Sequence, residues 1–420
     1  MLPIFLKKPY ALFYNDFLYV LTIAKAKRVS EHYFREKIAD LPDNPAAEIL
    51  RYARGREGII SMAQGEGSMP TPDFIVDAAH KAMADGKTFY GPVLGQPTIR
   101  EAISTYYKDI YDVDVEPNRV FMTGSGTTAM HLALTSILGK GDEVVAVTPI
   151  WKNLLGAVEL AEAKTTQVSL DYDETAGWTL DIEQLKAACS DKTKALLIVT
   201  PSNPTGWTMS DEEIIDLLSF AREKKIWIIS DEVYGRLVYG KDHAPSFLEH
   251  AKPDDLLMTV NSFSKAWAMT GWRLGWLVGP AFAESIIRDI ALYDNMGPPT
   301  FTQFGGVEAI KHGDNFIQEQ LDLWQKNRDR IVEVLGAHPN IHMSSPESSF
   351  YAFFRVGGES DCVAFAKRLI EEVGLSVTPG CAFGKSCRGW IRMCFAVSEE
   401  KLEQALERFL KVIDNAEEAA

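Results

Sequence analysis

Basic residues are in short supply in this sequence: 43 lysines and arginines stand against 58 aspartates and glutamates, a net charge of -15. That balance argues against nucleic acid or an anionic membrane surface as a partner. Cysteine is scarcer still. The five present, Cys189, Cys362, Cys381, Cys387 and Cys394, are odd in number and form no CxxC pair, so neither a disulfide framework nor a zinc site is indicated and no metal is expected. A reducing cytoplasm fits this usage. A bilayer-spanning apolar run is missing too. The early apolar stretch, residues 10–24, is broken by Asn15 and Asp16 and no clean small-residue cleavage site follows, so residues 1–28 are expected to be an added N-terminal segment, or the product of a start codon called too early, rather than an export signal. What remains is 420 residues, 46% hydrophobic, enough to build two or three domains with real cores.

From residue 45 the chain becomes regular. Helical spacing covers 46–54, 74–84 and 98–108, with a short apolar run at 59–62 and a turn, Gln64-Gly65-Glu66-Gly67-Ser68, stiffened by Pro70 and Pro72. Six further apolar runs, 120–122, 143–147, 165–168, 195–199, 226–230 and 256–260, alternate with helical stretches. That alternation predicts an α/β fold, a mainly parallel sheet covered by helices. Later, 350–355 alternates like a strand, 361–373 is helical, and 380–392 reads as a returning strand.

In parallel sheets, ligands gather beyond the carboxyl ends of the strands, and the residues there are small and polar. After 120–122 come Thr123-Gly124-Ser125-Gly126-Thr127-Thr128 and a helix, a set of backbone N–H groups and hydroxyls suited to a phosphate, although Gly-Ser-Gly alone is more often an ordinary turn. Trp151 follows 143–147, where an indole could lie on a flat heterocycle or simply pack. Asn203 sits in a proline-rigid turn after 195–199. Asp231 ends the next run with Tyr234 three residues on; it could cap a helix, or hold a pyridine nitrogen protonated. Last comes NSFSKAWAMTGWRLGW, in which Lys265 lies among Ser262, Ser264, Phe263, Trp267, Trp272 and Arg273. Apolar bulk and a neighbouring cation lower a lysine pKa and make the amine a nucleophile, while two serines and an arginine fork suit a phosphate ester. An isolated S-x-S-K is more often a buried turn. The joint order of these groups on successive strand ends carries the argument, and it points to pyridoxal phosphate.

The blocks PSNPTG, SDEVYGRLVY and SFSKAWAMTGWRLGW resemble the signature of the class I pyridoxal-phosphate aminotransferases of fold type I. QGEG-SMPTP, YGPVLGQPTIREA and IRMCFAVSEEKLEQALERF bring the chain nearest to the bacterial aspartate and aromatic branch. The resemblance implies a three-layer sheet domain over 69–304, a smaller α+β domain made from an arm, 29–68, and the C-terminal part, 305–420, and a homodimer with shared active sites. It also implies roles. Lys265 would carry the cofactor and move the α-proton; Asp231 would meet the ring nitrogen, Asn203 and Tyr234 the ring oxygen, and Trp151 the ring face. Ser125, Gly126, Thr127, Ser262, Ser264 and Arg273 would hold the phosphate, joined by Tyr90 from a second subunit. Arg392 would bind the substrate α-carboxylate, helped by Gly65 and Asn203. The implied reaction moves the amino group of an L-amino acid to a 2-oxo acid, 2-oxoglutarate first among them, through alternating pyridoxal and pyridoxamine forms. A carbon–sulfur lyase or decarboxylase on the same scaffold is the alternative. A cofactor-binding transcriptional regulator would need a DNA-binding module, for which the 45 residues before the resemblance are too few. The chain departs from the aspartate-specific pattern at Thr127, where a lysine is frequent, at Gly67 and Ser68, where proline and aspartate are usual, and over 294–304.

Overall fold

The computed structural model describes residues 44–418, so the expectation for residues 1–28 lies outside the described residues. Seven strands form the main sheet: β1 (Val120–Thr123), β2 (Glu143–Thr148), β3 (Lys164–Ser169), β4 (Thr193–Val199), β5 (Trp227–Asp231), β6 (Leu257–Ser262) and β7 (Gly275–Val278). Their order across the sheet is β1-β7-β6-β5-β4-β2-β3. Every neighbouring pair is parallel except the two made by β7. The expected runs therefore all became strands, and the sequence reading missed one more, β7, which returns directly from the lysine-bearing segment and so runs against its neighbours.

The strands are apolar without polar alternation because both faces of the sheet are covered. Along β4, Leu196 and Ile198 enter one core, with Ile228 and Phe263, while Ala195, Leu197 and Val199 enter the other, with Ala129 and Leu132 of the helix Gly126–Ile137. Each such fully buried Leu, Ile or Val contributes roughly 1.5–3 kcal/mol. Edge strand β3 carries two exposed polar positions, Lys164 and Gln167, which suits an unpaired edge.

A second, four-stranded sheet is antiparallel throughout: β8 (Ile341–His342), β9 (Tyr351–Val356), β10 (Thr378–Pro379) and β11 (Trp390–Cys394), ordered β8-β9-β11-β10. Ile60–Ser61 pairs in parallel with Leu375–Ser376, tying the chain near residue 60 to the C-terminal third. The expected strand over 380–392 needs correction. Residues Gly380–Ala382 and Lys385–Cys387 are single 3-10 turns, and extension begins only at Trp390. The chain doubles back so tightly that a Cβ on Gly380 would stand 2.5 Å from the Cys387 carbonyl oxygen, and Gly389, at φ +82°, makes the final turn into β11.

Candidate active site

A pocket of about 380 Å³ opens beyond the carboxyl ends of β1, β4, β5 and β6 and is closed from the other side by β9 and β11. Lys265 lines it from the one-turn helix Phe263–Ala266 that follows β6. Its Nζ donates to the Gly65 carbonyl at 2.6 Å. Burial, chiefly, with help from the Arg392 and Arg273 charges, lowers its pKa to about 8, against the opposing pull of Cys394 and Glu66. A substantial neutral fraction of amine is then present near neutral pH, as nucleophilic chemistry requires.

Asp231 ends β5 in the wall of the same pocket, and its carboxyl is pushed up to about 7 by burial, which outweighs an N–H from Val233 at 3.2 Å and the Lys265 charge. Between about pH 4 and 7 the folded chain holds a proton here that the unfolded chain has released. The stability associated with this group is therefore present at low pH and lost as pH rises through about 7. Freed of any cofactor, an Asp231→Asn protein is expected to melt above the unmodified one at pH 8 and level with it near pH 4, by calorimetry. An equal gap at both pH values would show that ionisation at Asp231 costs the fold nothing.

Arg392 projects from β11 and is only 5% exposed. Its partners are neutral: Nη1 donates to Asn203 Oδ1 at 2.9 Å, and Nη2 to the Ala63 carbonyl at 2.6 Å and Thr378 Oγ1 at 3.3 Å. The guanidinium lies 4.3 Å from the ring centre of Tyr351 and 5.0 Å from that of Phe383, and Nε has no hydrogen-bond partner. A buried cation held by neutral groups is costly unless an anion joins it, and a planar fork accepts a carboxylate bidentately.

At the opposite wall the helix Gly126–Ile137 points its N-terminus into the pocket through Gly126 and Thr127, where the helix dipole and free N–H groups favour an anion. Ser262, Ser264 and Arg273 line the same region. Ser262 Oγ donates to Ser264 Oγ at 2.9 Å, and Arg273 Nη1 donates to the Thr270 carbonyl at 2.7 Å. The close fit depends on β7: Gly275 pairs with Thr123 and with Ser262, and a Cβ there would stand 2.6 Å from the Gly126 nitrogen.

Gly65, Gly126, Thr127, Trp151, Asn203, Asp231, Tyr234, Ser262, Ser264, Lys265, Arg273 and Arg392 thus line one pocket. Two expected residues do not. Ser125 is buried behind the helix start, where its Oγ accepts the Thr128 N–H at 3.0 Å as an N-cap. Tyr90 is 86% exposed, outside this chain's own pocket. Sequence reasoning missed Tyr351, which exchanges a 2.9 Å hydrogen bond with Tyr234 between hydroxyls and packs so closely on the 64–67 turn that a Cβ on Gly65 would meet its hydroxyl at 2.5 Å. Tyr351 stands in an alternating apolar strand, and nothing local distinguishes it from a core aromatic. Among the described residues no group of three or more His, Cys, Asp or Glu could hold a metal, and no helix is long and apolar enough to cross a membrane.

Pyridoxal phosphate fits this donor set. An anion cup at a helix start, a buried carboxyl whose ionisation awaits a cation, and a low-pKa amine lie in one cavity of suitable size. Comparison with known proteins gives the same answer. The family model for class I and II aminotransferases matches residues 57–409. The probable aspartate/prephenate aminotransferase of Aquifex aeolicus is 33% identical over 394 residues, covering 90% of this chain and 98% of that protein. The aromatic-amino-acid aminotransferase 2 of Thermococcus litoralis is 32% identical over 370 residues, covering 87% and 94%. The crystal structure of aspartate aminotransferase from Thermotoga maritima superposes with a TM-score of 0.84 at 30% identity, covering 91% of this chain and all of that one.

Proposed function

The chain belongs to the class I and II aminotransferases, and from that premise we propose that it transfers the amino group of an L-amino acid to 2-oxoglutarate with Lys265 as the catalytic base. Amino-group transfer with pyridoxal phosphate is the activity of the family; the acceptor, the residue roles, the subunit arrangement and the compartment are our reading. The observation that carries it is Arg392, buried, charged and held only by neutral groups, in the same pocket as Lys265.

Pyridoxal phosphate, when bound, supplies a pyridine ring that withdraws the electron pair left as the α-C–H bond breaks. The chain's residues do the rest. Arg392 binds the carboxylate common to amino donors and 2-oxo acceptors, and its contacts to Asn203, Ala63 and Thr378 fix the plane of the fork. Lys265 Nζ takes the proton from the α-carbon as neutral amine and returns it as ammonium. A pKa near 8 makes both directions accessible at neutral pH. Asp231, ionised once a cationic ring nitrogen faces it, would keep that nitrogen protonated; Tyr234 and Asn203 would supply donors to the ring oxygen, Trp151 a stacking face, and the 126–127 helix start with Ser262, Ser264 and Arg273 the phosphate cup. Among the described residues, Lys265, Arg273 and Arg392 are the cations in the lining, so this chain's own lining offers a side-chain carboxylate no further cation, in line with Thr127 at the helix start.

A homodimer in which Tyr90 reaches the partner's phosphate site is supported by the 83% and 86% exposure of Phe89 and Tyr90, two aromatic rings on a loop fixed by the Thr300 hydroxyl donating to the Phe89 carbonyl at 2.8 Å. Five free cysteines support a reducing cytoplasm.

The test is a half-reaction. An amino acid added alone should convert the visible absorption of the loaded enzyme stoichiometrically and stop, and 2-oxoglutarate should restore it. Continuous 2-oxo acid production with ammonia or thiol release and no acceptor present would assign the scaffold to lyase chemistry instead.

A further inference from the structure

Away from the pocket lining, two of the five free cysteines meet. Cys362 opens the helix Cys362–Val373, directly after its N-cap Asp361, and is 2% exposed. Cys381 lies in the turn Gly380–Ala382 and is half-buried. The Cys381 backbone N–H donates to Cys362 Sγ at 3.5 Å. That contact holds the Cys362 sulfur against the backbone of Cys381, nineteen positions along the chain, and a disulfide needs such closeness, its Cα atoms usually standing about 4.4–6.8 Å apart.

We propose that Cys362 and Cys381 are a peroxide-reactive dithiol that closes to an intramolecular disulfide. Cys362 is the attacking sulfur. Hydrogen bonding from Cys381, whose backbone N–H reaches the sulfur at 3.5 Å, holds the Cys362 pKa below the ordinary thiol value despite burial, and its place at the start of a helix favours the thiolate. The proton of the pair then rests on Cys381, whose pKa rises. The half-buried Cys381 side gives a small peroxide its way in. Cys362 thiolate attacks one peroxide oxygen, breaking the O–O bond and releasing an alcohol or water with the proton it gains; Cys362 is oxidised to a sulfenic acid. Cys381 sulfur then attacks that sulfur and water leaves, so that two thiols and one peroxide give one disulfide, one alcohol or water from the peroxide, and one water. Cys189, Cys387 and Cys394 lack this arrangement: burial raises the thiol pKa of each, and Cys387 has Ser386 Oγ at 3.8 Å as its nearest hydrogen-bonding side chain.

This inference is independent of the reading of the active site. The experiment uses the whole protein treated with a small molar excess of hydrogen peroxide and then unfolded for thiol titration. The count should fall from five to three, peptide mapping should find Cys362 joined to Cys381, and dithiothreitol should restore all five. In Cys381→Ser, a half-buried exchange, no disulfide should form and a sulfenic acid reagent should label Cys362. Cys189→Ser should still lose two thiols. Five thiols remaining, a bridge joining another pair, or labelling of Cys387 in place of Cys362 would overturn the proposal.

Discussion

Replacing Lys265 by alanine is expected to lower kcat on the order of 10⁴-fold or more, because among the described residues no second amine lines the pocket. Around the Lys265 amine the pocket offers Arg392 and Arg273, whose guanidinium groups are donors without an acceptor site, Asp231, whose carboxyl is buried, Glu66, whose Oε2 accepts from the Thr270 hydroxyl at 2.9 Å, and the phenols of Tyr234 and Tyr351, whose pKa values are raised by burial. Removing the side chain leaves the Gly65 carbonyl without its 2.6 Å donor, a local loss that water entering the pocket can replace, so the protein should still fold. Borohydride reduction of the loaded unmodified enzyme should leave cofactor covalently on Lys265, and the same treatment of Lys265→Ala should leave none. Retention of cofactor on the alanine protein at another residue, with activity within tenfold of the unmodified enzyme, would remove Lys265 from the mechanism.

Arg392→Lys is expected to cost every amino donor about 2–4 kcal/mol of transition-state binding, a fall of roughly 30- to 1000-fold in kcat/KM. The charge survives the exchange; the fork does not. A single ammonium replaces two guanidinium nitrogens that reach Asn203 Oδ1, the Ala63 carbonyl and Thr378 Oγ1. It also loses the flat face that rests on Tyr351 and Phe383. Because the lost contact is to the carboxylate shared by all donors, the ratio of aspartate to alanine to aromatic and branched donors should stay within about threefold of its original value. Steady-state kinetics on a donor panel decides it. A loss confined to one donor class would mean that Arg392 reads the side chain and that the α-carboxylate is held elsewhere.

Much of this protein is legible in the chain because the decisive groups are short and local. A strand end followed by a helix is written as an apolar run and then small polar residues, so Gly126, Thr127, Asn203, Asp231 and Lys265 could be placed on one rim from order alone, without knowing how the strands neighbour one another. The family follows from the same blocks. What sequence order leaves undetermined is which distant segments close that rim. β7 is hard to read as a strand because GWLV is short and directly follows a segment dense in chemistry, yet its antiparallel return brings Gly275 against Gly126 at the helix start that lines the pocket. Tyr351 and Arg392 come from neighbouring strands of another sheet, and the meeting of Tyr351 with Tyr234, 117 positions away, and of Arg392 with Asn203, 189 positions away, is a property of packing between sheets, where loop-closure entropy is offset by burial rather than by any local preference. Ser125, too, takes its place from the helix it begins, its Oγ accepting the Thr128 N–H at 3.0 Å. Residue order thus determined which chemistry this chain carries, and tertiary contacts decided which side chains are free to perform it and how their charges are tuned, because burial and long-range hydrogen bonds set a pKa and neither is encoded within a few residues of the group it shifts.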